Sequence, residues 1–469
     1  MRGILSAAGS IPYWRLQRST IGAFHGSGGG KGTRSVASYD EDSTTLAVDA
    51  ARNALRCAPE AATPSALWFT TTTPTYLEKS NAGVAHAALR LPTTTAAYDL
   101  GGSLRSGVGA LRAALTSSDT VLVTAADLRV GLPNSADESA GGDAGAAVIV
   151  GDGDGVIAEH LGGASASQEF LDRWRTPGDP RTKQWEEKFG EQHYVTLARQ
   201  AWGDALASAG LEASDVDQVV IATAHPRAGN VVAKQLGATA AADLAATVGN
   251  AGAAQPLLLL SAALEAASPA QTIALIVLAD GADVLLFRTT DAIASWTPAR
   301  SIDDQLSSGN DTLPYAKYLS WRQVMSPEPP RRPEPARMSA SAAGRSVDWK
   351  YGFVASRDRE SKALHMPPAR VSFEGGNVDD MEPVPMADVG GTVLSATVDR
   401  LAYSPSPPVI FAVVDFDGGG RLPVELCDCT ADDASPGARV EMTFRRLNAA
   451  DGIANYFWKA RPIRGGTER

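Results

Sequence analysis

The stretch AAYDLGGSLRSGVGAL, residues 96–111, decides the fold. It passes from a short strand through a turn punctuated by Gly101 and Gly102 into an Ala-rich helix, with Leu104 at the elbow. Around it, apolar runs alternate with Ala-rich helical stretches. ALWFTTTTP (66–74) and DQVVIATAHP (217–226) are strands ending in Thr-Pro and His-Pro turns. DTVLVTAAD (119–127) and TIALIVLAD (272–280) are buried-type strands ending at an aspartate, each followed by another, GAAVIVGDG (145–153) and ADVLLFRTT (282–290). Short apolar runs between helices indicate strands buried on both faces of a sheet. The order recurs twice before residue 290, which predicts a duplicated α/β fold whose ligands sit at the strand ends.

A chain of 469 residues accommodates two to four compact units. Its 42 Lys and Arg against 53 Asp and Glu give a net charge of −11. That balance disfavours polyanions, so no nucleic acid and no anionic membrane is expected as a general partner. A local basic pocket for one small ligand stays open. Three cysteines, Cys57, Cys427 and Cys429, make no disulfide framework and suggest a reducing, cytoplasmic compartment. The N-terminal MRGILSAAGS reads as a first strand rather than a signal peptide, and no window approaches the ~20 apolar residues that span a bilayer.

After about residue 300 the composition changes. MSPEPPRRPEPARMSASAAGRS (325–346) is rich in Pro, Ser and Arg and reads as a linker or strap. Residues 347–469 hold five short alternating strands with Gly and Pro turns, which predicts a small all-β barrel of OB type.

These segments resemble two known families. AAYDLGGSLRSG, SADESAGGDAGAAVIVGDG, ATAHPRAGNVVAKQLG and VGNAGAAQPLLLL resemble the thiolase superfamily, in the branch of 3-hydroxy-3-methylglutaryl-CoA synthase and the third type of ketoacyl-carrier-protein synthase. The insertion EFLDRWRTPGDPRTKQWEEKFGEQHY is similar to an excursion that the synthase branch carries near its active-site mouth. The remainder resembles the thiolase-associated zinc-ribbon plus OB-fold family, here fused. The resemblance implies a duplicated αβαβα fold with halves at 1–160 and 161–324, a linker at 325–346, a degenerate ribbon at 347–392 and a barrel at 393–469. It also implies a homodimer, a coenzyme A thioester as substrate, and a possible companion hydratase or thiolase.

The resemblance locates gaps as well as groups. Its nucleophilic cysteine falls on Leu104, which cannot hold an acyl group through sulfur. Ser103 is adjacent, but a one-residue shift in a tight turn aims its side chain elsewhere. The family's acid/base glutamate falls on Thr72, and Glu78 nearby is better read as a solvated helix-start charge. Two groups remain at matching places, His225 and Asn250, whose N–H donors would stabilise an enolate on a thioester oxygen. Taken singly, each reads more simply as a satisfied turn residue or a helix cap. Tyr98 or Tyr76 would manage a proton, against the plainer reading of a core or surface tyrosine. Gly141, Gly142, Asp143 and Gly145 shape the floor of the site by close backbone approach. The Asp280-Gly281 turn offers a backbone N–H to an oxyanion hole.

GSGGGKG (26–32) lacks the spacing of a phosphate loop, which leaves Lys31, with Arg105 and Lys234, as candidate contacts to coenzyme A phosphates. In the ribbon, the four metal-ligand places hold Asp358, Ser361, Ser372 and Gly375, so no zinc is expected. Without sulfur, condensation through a covalent acyl-enzyme is expected to be absent or very slow, and aldol or retro-aldol cleavage of a 3-hydroxyacyl-CoA in lipid or steroid-like metabolism becomes the leading expectation. A condensing synthase with another nucleophile, and a silent acyl-CoA-binding scaffold, are the alternatives.

Overall fold

The apolar runs assemble into one nine-stranded sheet in a computed structural model that describes residues 1–27, 30–236, 241 and 243–464. Gly28 and Gly29 of the Gly-rich loop, and Gly237 of ATAHPRAGNVVAKQLG, lie outside the described residues. The strands are β1 (Arg2–Ser10), β2 (Ala66–Thr70), β3 (Ala96–Asp99), β4 (Val121–Asp127), β5 (Ala144–Asp152), β6 (Ala158–Ala166), β7 (Gln218–Thr223), β8 (Thr272–Leu278) and β9 (Ala282–Thr289). Across the sheet they run β7-β8-β9-β6-β1-β5-β4-β2-β3.

The duplication is explicit in the pairing. β2 runs parallel to β4, which is antiparallel to β5, which is antiparallel to β1. In the second half β7, β8, β9 and β6 repeat that sequence of orientations. β3, parallel to β2, is an added edge. The halves join where Gly3 and Ile4 pair with Glu159 and Ala158. A Cβ on Gly3 would lie 2.1 Å from the Ala158 carbonyl, so only glycine permits that join. The division expected at residue 160 thus falls within β6 of a continuous sheet.

Two helices lie on the middle of this sheet, α1 (Ser43–Cys57) and, later in the chain, Gln255–Glu265. The first opens on a capping box, with Asp42 accepting from Thr45 N at 3.0 Å and Thr45 Oγ1 accepting from Asp42 N at 2.8 Å. The second places Pro256 in its first turn, where the missing N–H leaves no bond unmade. Both bury almost every residue, which is why they are written in Ala, Leu, Ser and Thr. Three further helices reach the site: α2 (Ser106–Thr116), α3 (Glu187–Ala209) and α4 (Pro226–Leu236), which makes Gln255–Glu265 α5. None of the helices among the described residues is long and apolar enough to cross a membrane.

The chain divides into two compact units. One comprises Met1–Ala37, Asp42–Gly83 and Thr93–Tyr315, and the other Ser38–Glu41, Val84–Pro92 and Ala316–Arg469. The second contains a small sheet with β10 (Val354–Asp358) between β11 (Leu364–His365) and β12 (Met381–Pro385). It also contains a closed barrel of β13 (Gly391–Asp399), β14 (Val409–Phe416), β15 (Arg421–Leu426), β16 (Arg439–Ala450) and β17 (Ile453–Pro462), the OB-type arrangement expected. Phe444 stacks on Tyr456 with centroids 5.4 Å apart inside it. The stretch read as a linker includes a short helix, Ala340–Arg345, capped by Ser339.

The ribbon places converge on a carboxylate. Asp358 accepts from Ser361 Oγ at 2.6 Å, from Glu360 N at 3.0 Å and from Asn377 Nδ2 at 3.0 Å. The Ser361, Asn377 and Ser372 side chains hold this carboxyl well below the usual carboxylate range. One hard carboxylate whose oxygens are already taken by hydroxyl and amide donors does not fit a tetrahedral zinc. No group of three or more His, Cys, Asp or Glu among the described residues is arranged to hold a metal.

Cys427 and Cys429 lie just past β15, where Asp428 between them takes φ 54° and breaks the pleat. Burial pushes the Cys429 thiol up to about 12 and raises the Cys427 thiol well above its ordinary value, so neither is a ready thiolate.

Candidate active site

The elbow at 100–105 is shaped by close approach. A Cβ on Gly101 would lie 2.8 Å from the Thr71 carbonyl, and one on Gly107 2.1 Å from the Ala253 carbonyl. Gly102 takes φ 111°, open to glycine alone without strain. The chain therefore turns hard out of β3 into α2, and Leu104 faces a cavity of about 820 Å³ at the strand ends. That size suits a small-molecule ligand. Its walls come from the ends of β2 and β8, the elbow, and the segment 172–182 of the insertion. No cysteine lines it.

Thr72 stands where the resemblance puts a carboxylic acid, and it serves one instead. The buried Asp127 carboxylate, at the end of β4, accepts from Thr71 Oγ1 at 2.9 Å, Thr72 N at 2.6 Å and Thr72 Oγ1 at 2.9 Å. It also takes Ala253 N at 2.8 Å. Asp127 is a structural hub that ties the β2 end to the turn before α5.

His225 lines the cavity but is 2% exposed. Its Nδ1 accepts from Ala228 N at 3.1 Å, which fixes the proton on Nε2, and Nε2–H donates to the Glu187 carbonyl at 2.9 Å. Asn250 donates from Nδ2 to the Thr223 carbonyl at 2.7 Å and accepts from Gly252 N at 3.0 Å. Both donors are thus engaged within the fold, and Asn250 is not among the cavity-lining residues.

Of the tyrosines, Tyr76 lines the cavity, whereas Tyr98 is 57% exposed and lies outside its lining. Arg105 does not reach for a phosphate. Its Nε donates to Asp283 at 2.7 Å, Nη1 to the Asp280 carbonyl at 2.8 Å and Nη2 to Ser165 Oγ at 2.8 Å. It pins the β8–β9 hairpin, where a Cβ on Gly281 would lie 2.3 Å from Arg105 Nη1. In the same turn Asp280 N–H points to Tyr194 Oη at 3.4 Å. Gly281, Lys31 and Lys234 are outside the lining.

The insertion supplies groups that the sequence reading passed over. Asp172 is 2% exposed, lines the cavity, and its Oδ1 has no hydrogen-bond partner among the described residues. It reaches that depth because α3 carries glycine at 190, where a Cβ would lie 2.3 Å from Asp172 Oδ1 and 3.2 Å from His225 Cδ2. Tyr194, one turn further along α3, packs edge-on to His225 with ring centroids 5.7 Å apart. Burial, then the charges of Asp172 and Asp280, push the Tyr194 phenol well above its ordinary value, so it remains a proton donor. Asp172, Tyr194 and His225 therefore meet in one corner of the cavity. The pattern D-x-W-R at 172–175, inside a stretch already set at the site mouth, was the available signal.

Comparison with known proteins agrees with this architecture. Residues 383–445 match the family described as the ChsH2 C-terminal OB-fold domain. The chain is 26% identical over 346 residues to hydroxymethylglutaryl-CoA synthase of Picrophilus torridus, covering 69% of this chain and 98% of that protein. The enzyme of that name from Aeropyrum pernix is 28% identical over 277 residues, covering 56% and 77%. A structure of HMG-CoA synthase complexed with CoA superposes with a TM-score of 0.59 at 16% identity, covering 72% of this chain and 94% of that one. FabH, the 3-oxoacyl-(acyl carrier protein) synthase III of Pseudomonas aeruginosa PAO1, gives 0.55 at 20% identity, covering 62% and 98%. This chain has the thiolase-like fold, with an OB-fold domain after it. At the elbow, where the resemblance puts a cysteine, this chain carries the aliphatic Leu104.

Proposed function

We propose that the thiolase-like unit takes acyl-CoA thioesters into the strand-end cavity and promotes carbon–carbon bond formation without carrying an acyl group on the protein. The observation behind this reading is Leu104 on the elbow of a cavity whose wall keeps a buried carboxylate, Asp172, with one oxygen that takes no hydrogen bond among the described residues. Asp172 would remove a proton from the carbon next to the thioester carbonyl, leaving an enolate. The enolate carbon would attack the ketone carbon of a second substrate, a 3-oxoacyl-CoA, so that no group leaves, and the resulting alkoxide would take a proton from Tyr194. No bond to the chain forms at any step.

The relatives named for hydroxymethylglutaryl-CoA synthesis support the direction of bond formation. Nothing in the comparisons speaks for aldol cleavage, which was the leading expectation from the sequence, so condensation takes its place. A second reading, an acyl-CoA-binding scaffold without turnover, draws on the engagement of His225 and Asn250 in bonds of the fold.

The test is incubation of the whole chain with pairs of acyl-CoA esters, followed by mass spectrometry of small molecules and of the intact protein. Condensation predicts a longer acyl-CoA with no mass gained by the protein. Acyl mass on the protein would overturn the noncovalent mechanism, and tight binding without any product would favour the scaffold.

A further inference from the structure

Arg129 follows the buried end of β4, and its backbone is held on both sides. Asp143 Oδ1 accepts its N–H at 2.8 Å, and Arg34 Nη2 donates to its carbonyl at 2.7 Å. The side chain runs past two glycines. A Cβ on Gly141 would lie 2.8 Å from Arg129 Cβ, and one on Gly252 would lie 3.1 Å from its Cδ. The residue is 9% exposed and lines the cavity, yet its guanidinium makes no hydrogen bond to any described residue. A guanidinium withdrawn from water without a partner is costly, so a fold that pins one there leaves it for a ligand.

The surrounding charges are already committed. Asp127 is saturated by Thr71, Thr72 and Ala253 donors, and Asp137 takes Arg173 Nη1 at 2.6 Å. Arg175, on the same cavity wall, gives one N–H to the Thr72 carbonyl at 2.7 Å. The charges that act most on Arg129 are the carboxylates of Asp127 and Asp137 and the guanidiniums of Arg173 and Arg175, and neither carboxylate hydrogen-bonds to it. Where the resemblance puts a protein carboxylate, this chain offers arginines.

We propose that Arg129 and Arg175 form a receptor for a carboxylate on the acyl group, so that the preferred ligand is the monothioester of a dicarboxylic acid. The proposal rests on the reading of the cavity as an acyl-thioester site. Planar guanidinium and carboxylate match two bonds to two, a geometry that an uncharged acyl chain cannot use.

Calorimetric titration of the whole chain with glutaryl-CoA, valeryl-CoA, free CoA and glutarate tests it. Glutaryl-CoA is expected to bind at least about tenfold tighter than valeryl-CoA, which has the same number of acyl carbons. Arg129→Met should abolish that gap and leave valeryl-CoA binding unchanged, while Arg129→Lys retains part of it. If Arg129→Met fails to fold, Arg175→Met, nearer the surface, should narrow the same gap. Equal affinity of the two thioesters for the wild-type chain overturns the proposal. So does loss of free CoA binding in Arg129→Met, which would assign the arginine to a CoA phosphate. If no thioester binds but glutarate does so through Arg129, the carboxylate receptor stands and the acyl-thioester reading falls. If glutarate also fails to bind, the receptor itself is refuted.

Discussion

A thiol at residue 104 would sit on a strand-to-helix turn, where helix dipole and exposure favour a thiolate, whereas leucine there only contributes apolar surface to the cavity. If the elbow still aims at the thioester, Leu104→Cys should gain the mass of one acyl group on incubation with acyl-CoA. A folded variant that gains nothing would show that the turn points elsewhere. The same scale tests the proposed base. Asp172→Asn should lower kcat by roughly 10²–10⁴-fold with little change in KM, the size expected for loss of general base catalysis. Gly190→Ala should act in the same direction by displacing the Asp172 carboxylate, and rates equal to wild type in both variants would remove Asp172 from the chemistry. The resemblance picked out Leu104 and Thr72 at strand-end turns, and both line the cavity. Partners were not legible in the sequence: the carbonyl that engages His225 belongs to Glu187, on a helix 38 residues earlier in the chain. Nothing local to Arg129 marks it as buried, since its environment is built from Gly141 and Gly252.

Among the elements, strands were easier to foresee than what caps them. Long apolar runs have one stable home, a sheet covered on both faces, and β4, β5, β8 and β9 follow it. The insertion has no such period, so its contribution of Asp172 and Arg175 to the cavity wall emerges only in three dimensions. In the ribbon, the spacing marked where metal ligands would stand but not what gathers there, a carboxylate with hydroxyl and amide donors around it. Chelator treatment is therefore expected to leave the thermal midpoint unchanged, with no zinc recovered by elemental analysis. Asp358→Ala should lower the midpoint and speed amide exchange in β10 and β12, because Ser361 and Asn377 lose their common acceptor. A midpoint that falls with chelator instead would mean that a metal, not this hydrogen-bonded hub, holds the ribbon.

For the whole molecule, neither unit is a contiguous run of sequence. Ser38–Glu41 belongs with the barrel unit, and Asp40 meets Lys459 Nζ at 2.9 Å while Glu41 pairs with Arg445, each cation also holding a second carboxylate. Four carboxylates around two cations in a buried cluster explain why burial and the neighbouring Asp428 and Asp40 raise Glu41 to about 7 against the pull of Arg445. Hydropathy cannot announce such membership, since Asp and Glu after a strand read as a solvated turn. In the thiolase-like unit Glu265 is raised to about 7 by burial, despite accepting from Ile302 N at 2.8 Å, with Asp303 and Asp304 adding like charge. Both groups bind a proton more tightly folded than unfolded, so their stabilising effect is complete below the ordinary carboxylate range and is lost as pH rises through about 7. The thermal midpoint should accordingly fall between pH 5 and 8, in a chain whose net charge of −11 adds further repulsion over the same interval. Glu265→Gln removes one titrating group without changing its size. Its midpoint should match wild type near pH 4.5 and exceed it at pH 8, with a shallower slope between. An unchanged slope in scanning calorimetry across that range would show that Glu265 titrates in the folded chain as it does in the unfolded one.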